Sequence, residues 1–188
     1  MKVGDMQGKC EIGMVGLGVM GCNLLLNMAD QGFTVAGYDK DIKKVDALRQ
    51  QVTEHNIHAF ADVKDFIAAL ARPRAIMLLV PAGAAVDAVI AALLPYLQAD
   101  DLIIDAGNSY FKDSDTRAQQ LAEKNIRFLS VGISGGEEGA RHGPSIMPSG
   151  PKAAYQRVAP ILEAIATTTT TIDHSANHVT LRRFAHLL

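Results

Sequence analysis

The sequence predicts a doubly wound α/β fold, a mostly parallel β-sheet with helices on both faces. Three observations predict it. Short apolar runs alternate with longer amphipathic ones along most of the 188 residues, the rhythm of strands joined by crossover helices. The short runs are almost continuously apolar, as strands covered on both faces must be. Turn-forming residues separate the two kinds of run.

Taken in order, EIGMVG (about 11–16) is the first strand, and 19–31 the helix that follows it. FTVAGY (33–38) is the second strand, with a helix over 41–52. A strand over 57–60 and a helix over 62–70 come next. AIMLLV (75–80) leads into a helix over 84–97, and LIID (102–105) into a helix over 113–124. IRFLSV (126–131) is the last of these strands, and 152–166 the last helix. Each helix carries Val, Ile, Leu, Met, Ala or Phe near helical spacing. Between them lies SGGEEGARHGPSIMPSG (134–150), with five glycines, adjacent carboxylates, an Arg-His pair and two prolines. It has neither a helical nor a strand period. It reads as an irregular loop, unable to fill a core and shaped to hold something.

Five threonines at 167–171 favour an extended edge strand. From Asp173 to Leu188 the chain mixes His, Asn and Arg with a few leucines and shows no clear terminus signal. The expected organisation is a dinucleotide-binding domain over 1–172 and a divergent tail over 173–188. His174 and His178 are spaced as a helical metal pair, but nothing nearby completes a site, so a solvated face is the preferred reading and no metal is expected.

Composition excludes several classes. With 48% apolar and 20% charged residues the chain is not disordered. A net charge of −2 provides no basic field for nucleic acid or an anionic membrane, and scarce aromatics weaken any base-stacking reading. Cys10 and Cys22 make no disulfide framework and suit a reducing compartment. Glycines and charges interrupt the apolar run at the start, so it does not read as a signal peptide, and no run reaches membrane-spanning length. A cytoplasmic location is expected.

Gly16-Leu17-Gly18-Val19-Met20-Gly21 matches G-x-G-x-x-G and falls between a strand and a helix, the context the motif requires. Gly16 permits the tight turn, Gly18 lets a pyrophosphate approach the backbone, and Gly21 lets helix pack on strand. The helix N-terminus offers N–H groups to the phosphates. The second strand ends at Asp39, about 20 residues after the glycines, where an acid bonds the adenosine ribose. A glycine-rich turn with a helix-capping Asp39 is the plainer alternative. The order of elements favours a Rossmann-type unit binding NAD or NADP, with Lys40 and Asp41 beside Asp39. Val80, Pro81 and Ala82 end the 75–80 strand, where small residues let a nicotinamide ring lie against backbone; a helix start after Pro81 explains them equally well in isolation. Asn108, after the 102–105 strand, offers donor and acceptor to a hydroxyl or an amide, although by itself it reads as a turn residue. Ser134, Gly135 and Gly136 leave the next strand at the same edge, with N–H groups open to a carboxylate or hydroxyl. Glu137 and Glu138 read as structural acids paired to Arg141.

These residues carry a resemblance. IGMVGLGVMGCNLLLNMADQGFTVAGYD, RPRAIMLLVPAGAAVDAVI, LIIDAGNSYFKDSDTR and IRFLSVGISGGEEGARHGPSIMPSG resemble the coenzyme-binding portion of decarboxylating 6-phosphogluconate dehydrogenases, from about Ile12 to Ile165. The first segment is shared with the wider hydroxyacid dehydrogenases; the last is diagnostic of the one family. GNS and GGEEGAR disfavour the 3-hydroxyisobutyrate type. A nucleotide-binding module without chemistry of its own stays an alternative.

The resemblance implies that Ser134, Gly135 and Gly136 cradle 6-phosphogluconate, that Asn108 touches substrate and nicotinamide, and that residues 80–82 line the nicotinamide side. It also implies oxidation at C3, loss of CO2 and tautomerisation to ribulose 5-phosphate, a pentose phosphate pathway step, without a metal. The family's lysine base and glutamate acid belong to a helical domain, through which its members dimerise and which should begin near where this chain stops; no catalytic residue is therefore expected in the chain itself. The family's Asn-Arg-Thr at the second strand end is here Asp39-Lys40-Asp41, which favours NAD. Its GxAxxG is GxGxxG, its lysine of the nicotinamide strand is Pro81, and its GGNS is Ala106-Gly107-Asn108-Ser109. After Ile165 the sequence departs from the family's pattern.

Overall fold

The central strands are short and buried along their whole length, as strands covered by helices on both faces are. In the computed structural model, which describes residues 9–51, 56–166, 171–173 and 180–182, the first half alternates β1 (Ile12–Val15), α1 (Val19–Asp30), β2 (Val35–Tyr38), α2 (Ile42–Gln51), β3 (Ile57–Phe60) and α3 (Val63–Ala69). The second half continues with β4 (Ala75–Leu78), α4 (Ala84–Leu93), β5 (Leu102–Asp105), α5 (Phe111–Ala122), β6 (Arg127–Ser134), α6 (Gly136–His142), β7 (Ser145–Ser149) and α7 (Lys152–Ile165). Two further strands, β8 (Thr171–Asp173) and β9 (Thr180–Arg182), pair antiparallel with each other. Thr171 is thus extended, as expected for the threonine run, whereas Thr167–Thr170, His174 and His178 lie outside the described residues.

The main sheet has the order β3-β2-β1-β4-β5-β6-β7. Strands β1 to β6 are parallel, with Met14 opposite both Gly37 of β2 and Met77 of β4. The order reverses between β1 and β4, the switch point at which open α/β sheets bind ligands. Alternation of side chains divides the core in two. Met14, Met77, Ile104 and Leu129 face α1, α2 and α7. Ile76, Leu78, Ile103 and Phe128 face α3, α4 and α5. Each such buried Leu, Ile or Phe contributes about 1.5–3 kcal/mol relative to exposure. The doubly wound expectation holds.

Residues 134–150 correct the loop reading. They form α6 and then β7, which pairs antiparallel with β6, Ile133 opposite Ile146. Ala140 and Ile146 are buried, so this stretch does contribute to the core. Glycines and prolines masked a seven-residue helix and a strand with only two inward positions, Ile146 and Pro148. Arg141 pairs with Asp30 of α1 rather than with the neighbouring acids, and Glu138 instead lies 3.7 Å from His142. The helix expected over 84–97 ends at Leu93 and tightens into a 3-10 turn at Leu94–Tyr96, where Pro95 cannot continue the α-helical ladder. α5 begins at Phe111, slightly earlier than expected.

Candidate functional site

Parallel strands deliver their carboxyl ends to one edge of the sheet, and the loops after β1, β2, β4, β5 and β6 meet there. After β1 the chain turns at Gly16, whose φ of +102° is open to glycine but strained for other residues. A Cβ at Gly16 would lie 2.4 Å from the Leu79 carbonyl oxygen, and one at Gly21 only 1.9 Å from the Gly16 carbonyl oxygen. Gly18 differs, because nothing lies within 4 Å of where its Cβ would be. Two glycines therefore serve packing, and the middle one leaves open space at the mouth of α1. Val19, next to it, is exposed, Met20 is half-buried and Leu17 is buried.

Asp39 closes the other side of this turn. Its carboxylate accepts hydrogen bonds from the Leu17 N–H (2.9 Å) and the Asp41 N–H (2.9 Å), and Lys44 Nζ lies 3.3 Å away. Burial, the largest single influence, pushes its pKa upward; the Asp41 and Leu17 N–H groups and the Lys44 ammonium together outweigh it and hold Asp39 below the ordinary carboxylate value. A depressed folded pKa means that this stabilisation is complete above the unfolded value, about pH 3.9, and is lost as pH falls through the folded one. About four lone-pair sites belong to a carboxylate, so these bonds leave capacity for a further donor.

A cavity of about 510 Å³ brings together Gly16, Gly18, Asp39, Lys40, Val80 and Pro81. It is continuous from the β1 turn to the loop after β4, as a bound dinucleotide would need. Pro81 and Ala82 are exposed, Asp41 lies at the start of α2, and neither Asp41 nor Ala82 lines this cavity.

Asn108, Ser134, Gly135 and Gly136 form a separate exposed group further along the same edge. Asn108 adopts φ +55°, in the left-handed region that Asn tolerates. Its side-chain amide donates to the Ile133 carbonyl (3.3 Å) and accepts from the Ile133 N–H (3.1 Å). It therefore holds the end of β6, and with it Ser134, against the loop after β5. Gly135 has φ +134°, and a Cβ there would meet Gly139 Cα at 2.9 Å; Gly136 faces open space. Among the described residues no three His, Cys, Asp or Glu side chains gather as a metal site would, and no helix is long and apolar enough to cross a membrane.

Arg117 and Asp105 escaped the sequence reading. Both are buried and paired, 3.2 Å apart, beneath the loops after β4 and β5. A signal was present: α5 buries Ser114, Arg117 and Leu121, so a charged residue occupies its core-facing stripe.

Comparison with known proteins agrees with this geometry. Residues 11–173 match the family model described as the NAD binding domain of 6-phosphogluconate dehydrogenase. A decarboxylating 6-phosphogluconate dehydrogenase of Chlamydia pneumoniae is 54% identical over 157 residues, 83% of this chain and 33% of that protein. An NADP(+)-dependent decarboxylating 6-phosphogluconate dehydrogenase of Bacillus subtilis is 48% identical over 158 residues, 84% of this chain and 34% of its own length. Among solved structures, the Plasmodium falciparum 6-phosphogluconate dehydrogenase, described in apo form and with NADP+ or 6-phosphogluconate, superposes with a TM-score of 0.79 at 38% identity, covering 85% of this chain and 35% of that one. The chain spans about a third of the length of the relatives it matches. It belongs to the 6-phosphogluconate dehydrogenase family, as the family's NAD-binding domain.

Proposed function

We propose that residues 1–172 form the coenzyme-binding part of an NAD(P)-dependent decarboxylating 6-phosphogluconate dehydrogenase acting in the cytoplasm, with 173–188 as a distinct tail. The pyrophosphate lies at Gly16–Gly21 over the mouth of α1, the adenosine ribose at Asp39 with Lys40 and Asp41 beside it, and the nicotinamide against Val80, Pro81 and Ala82. Ser134, Gly135 and Gly136 hold 6-phosphogluconate, and Asn108 reaches both substrate and nicotinamide. The reaction is hydride transfer from C3, loss of CO2 from the 3-keto acid, and tautomerisation to ribulose 5-phosphate. A proton must leave the 3-hydroxyl as the hydride departs. The general base that takes it is supplied by the portion of the relatives that this chain does not span, as is the surface through which they dimerise.

One observation carries the coenzyme reading: a buried, ionised Asp39 borders the same cavity as the open Gly18. It also carries a preference. An ionised carboxylate accepts hydrogen bonds from ribose hydroxyls and repels a 2′-phosphate. Lys44 at 3.3 Å weakens that repulsion, so the expected discrimination in favour of NADH is about tenfold, or about 1.4 kcal/mol. Titration of NADH and NADPH into the chain and into Asp39→Asn measures it. The substitution is expected to erase or reverse the preference. It also turns one amide N–H towards the donors at Leu17 or Asp41, costing about 1–3 kcal/mol of stability. Equal or tighter NADPH binding by the unsubstituted chain refutes the preference without touching the coenzyme site.

A further inference from the structure

A single guanidinium lies under both loops that would enclose a nicotinamide. Arg117 of α5 is only 3% exposed. Its Nε donates to Asp87 Oδ1 (2.6 Å). Nη1 donates to Asp105 Oδ2 (3.2 Å) and to Ser109 Oγ (3.0 Å), and Nη2 to the Gly83 carbonyl (3.1 Å). Gly83 ends the loop that begins at Val80, and Ser109 follows Asn108 directly. The two loops already touch, since a Cβ on Gly107 would lie 2.7 Å from the Val80 carbonyl oxygen. Asp105 adds a brace from the floor, accepting from the Gly107 N–H at 3.0 Å.

Stability alone does not require this arrangement, because well-packed apolar residues often replace a buried ion pair without loss. What an apolar residue cannot supply is a planar fork of donors aimed in fixed directions. Two of these directions end on a main-chain carbonyl of one loop and a hydroxyl of the other. We propose that Arg117 is a positioning residue: it fixes the separation between the loops at 80–83 and 106–109, and thereby the seat of the nicotinamide half of the coenzyme. This rests on the coenzyme reading above.

The test separates the two halves of the ligand. NADH, NADPH and their nicotinamide-free counterparts, ADP-ribose and its 2′-phosphate, are titrated calorimetrically into the 188-residue chain and its variants. Arg117→Lys keeps the charge but loses the fork. It is expected to weaken the dinucleotides about tenfold, the scale of one charge-assisted hydrogen bond, and to leave the ADP-ribose ligands within about twofold. Asp87→Asn changes a largely exposed side chain in the first turn of α4, so it retains the fold even if Arg117→Lys does not. A smaller loss of about threefold, again confined to the dinucleotides, is expected there. Unchanged dinucleotide affinity in the folded variants overturns the proposal, and so does an equal loss for both ligand classes, which is what a merely structural role produces. Failure of the unsubstituted chain to bind either class overturns the coenzyme reading itself.

Discussion

Given 6-phosphogluconate and either coenzyme, the purified 188-residue chain is expected to bind coenzyme yet form no reduced nicotinamide above background. The substrate's 3-hydroxyl must lose its proton as hydride leaves, and a positioned base contributes about 10²–10⁴-fold. Among the described residues, the buried charges at the edge near Asn108 and Ser134 are committed. Asp105 is held by Arg117 and the Gly107 N–H, and a guanidinium does not accept a proton. Orientation suffers as well. Ser134, Gly135 and Gly136, the residues proposed to hold the substrate, are exposed, and a substrate held loosely there forfeits part of the about 7–11 kcal/mol that full orientation can supply. Absorbance at high protein concentration, with Asn108→Ala and Ser134→Ala alongside, measures the result. Turnover that both substitutions abolish establishes that these residues suffice and refutes the expectation.

Gly21→Ala is expected to destabilise the domain by about 3 kcal/mol, the upper part of the usual range for overpacking, and to abolish coenzyme binding. The new methyl would sit 1.9 Å from the Gly16 carbonyl oxygen. Gly16 has little room to retreat, because its N–H bonds the Tyr38 carbonyl at 2.9 Å and Leu79 backs it. α1 must therefore move off the sheet. For a domain of this size the midpoint of thermal unfolding falls by about 6–12 °C. Gly18→Ala is the control. Its backbone is extended at φ −72° and nothing lies within 4 Å of where its Cβ would be, so the fold is unaffected; the substitution also restores the family's GxAxxG pattern, so coenzyme binding is expected to survive. Wild-type melting by Gly21→Ala disproves the packing role; a comparable loss of stability in Gly18→Ala disproves the difference between the two glycines.

The difference between what the sequence revealed and what it hid has physical causes. β1, β4 and β5 were legible because strands buried on both faces must be apolar throughout, and the glycine turn because its steric demands recur with fixed spacing. Asp39 was legible from its place at the end of β2. Its bonds to Leu17, Asp41 and Lys44 were not, since they depend on how the turn folds back. α6 and β7 were hidden because pairing with β6 and packing on α1 stabilise them, and local propensity does neither. Arg117 was hidden by its charge: a cation is ordinarily assigned to the surface, and only the loop carbonyl, hydroxyl and carboxylates gathered around it explain its burial. Asn108 was legible as a polar residue at the right edge, but its hold on Ile133 requires β5 and β6 to be neighbours.

The side-chain amide of Asn27, on the glycine-loop helix, donates to the carbonyls of Ala140 (3.1 Å) and Ile165 (3.2 Å), partners 113 and 138 residues further along. This reach has a cost in time. At about 5–20 residues per second of synthesis, α1 waits on the order of ten seconds before α7 exists. Until then the inner face of α1 has lost those partners, and a nascent chain halted after β5 presents an incompletely covered apolar surface. Closing loops this long before their contacts form also slows folding after release. The first helix made is thus among the last secured, and competence to bind coenzyme should emerge late, only once the chain has passed residue 165.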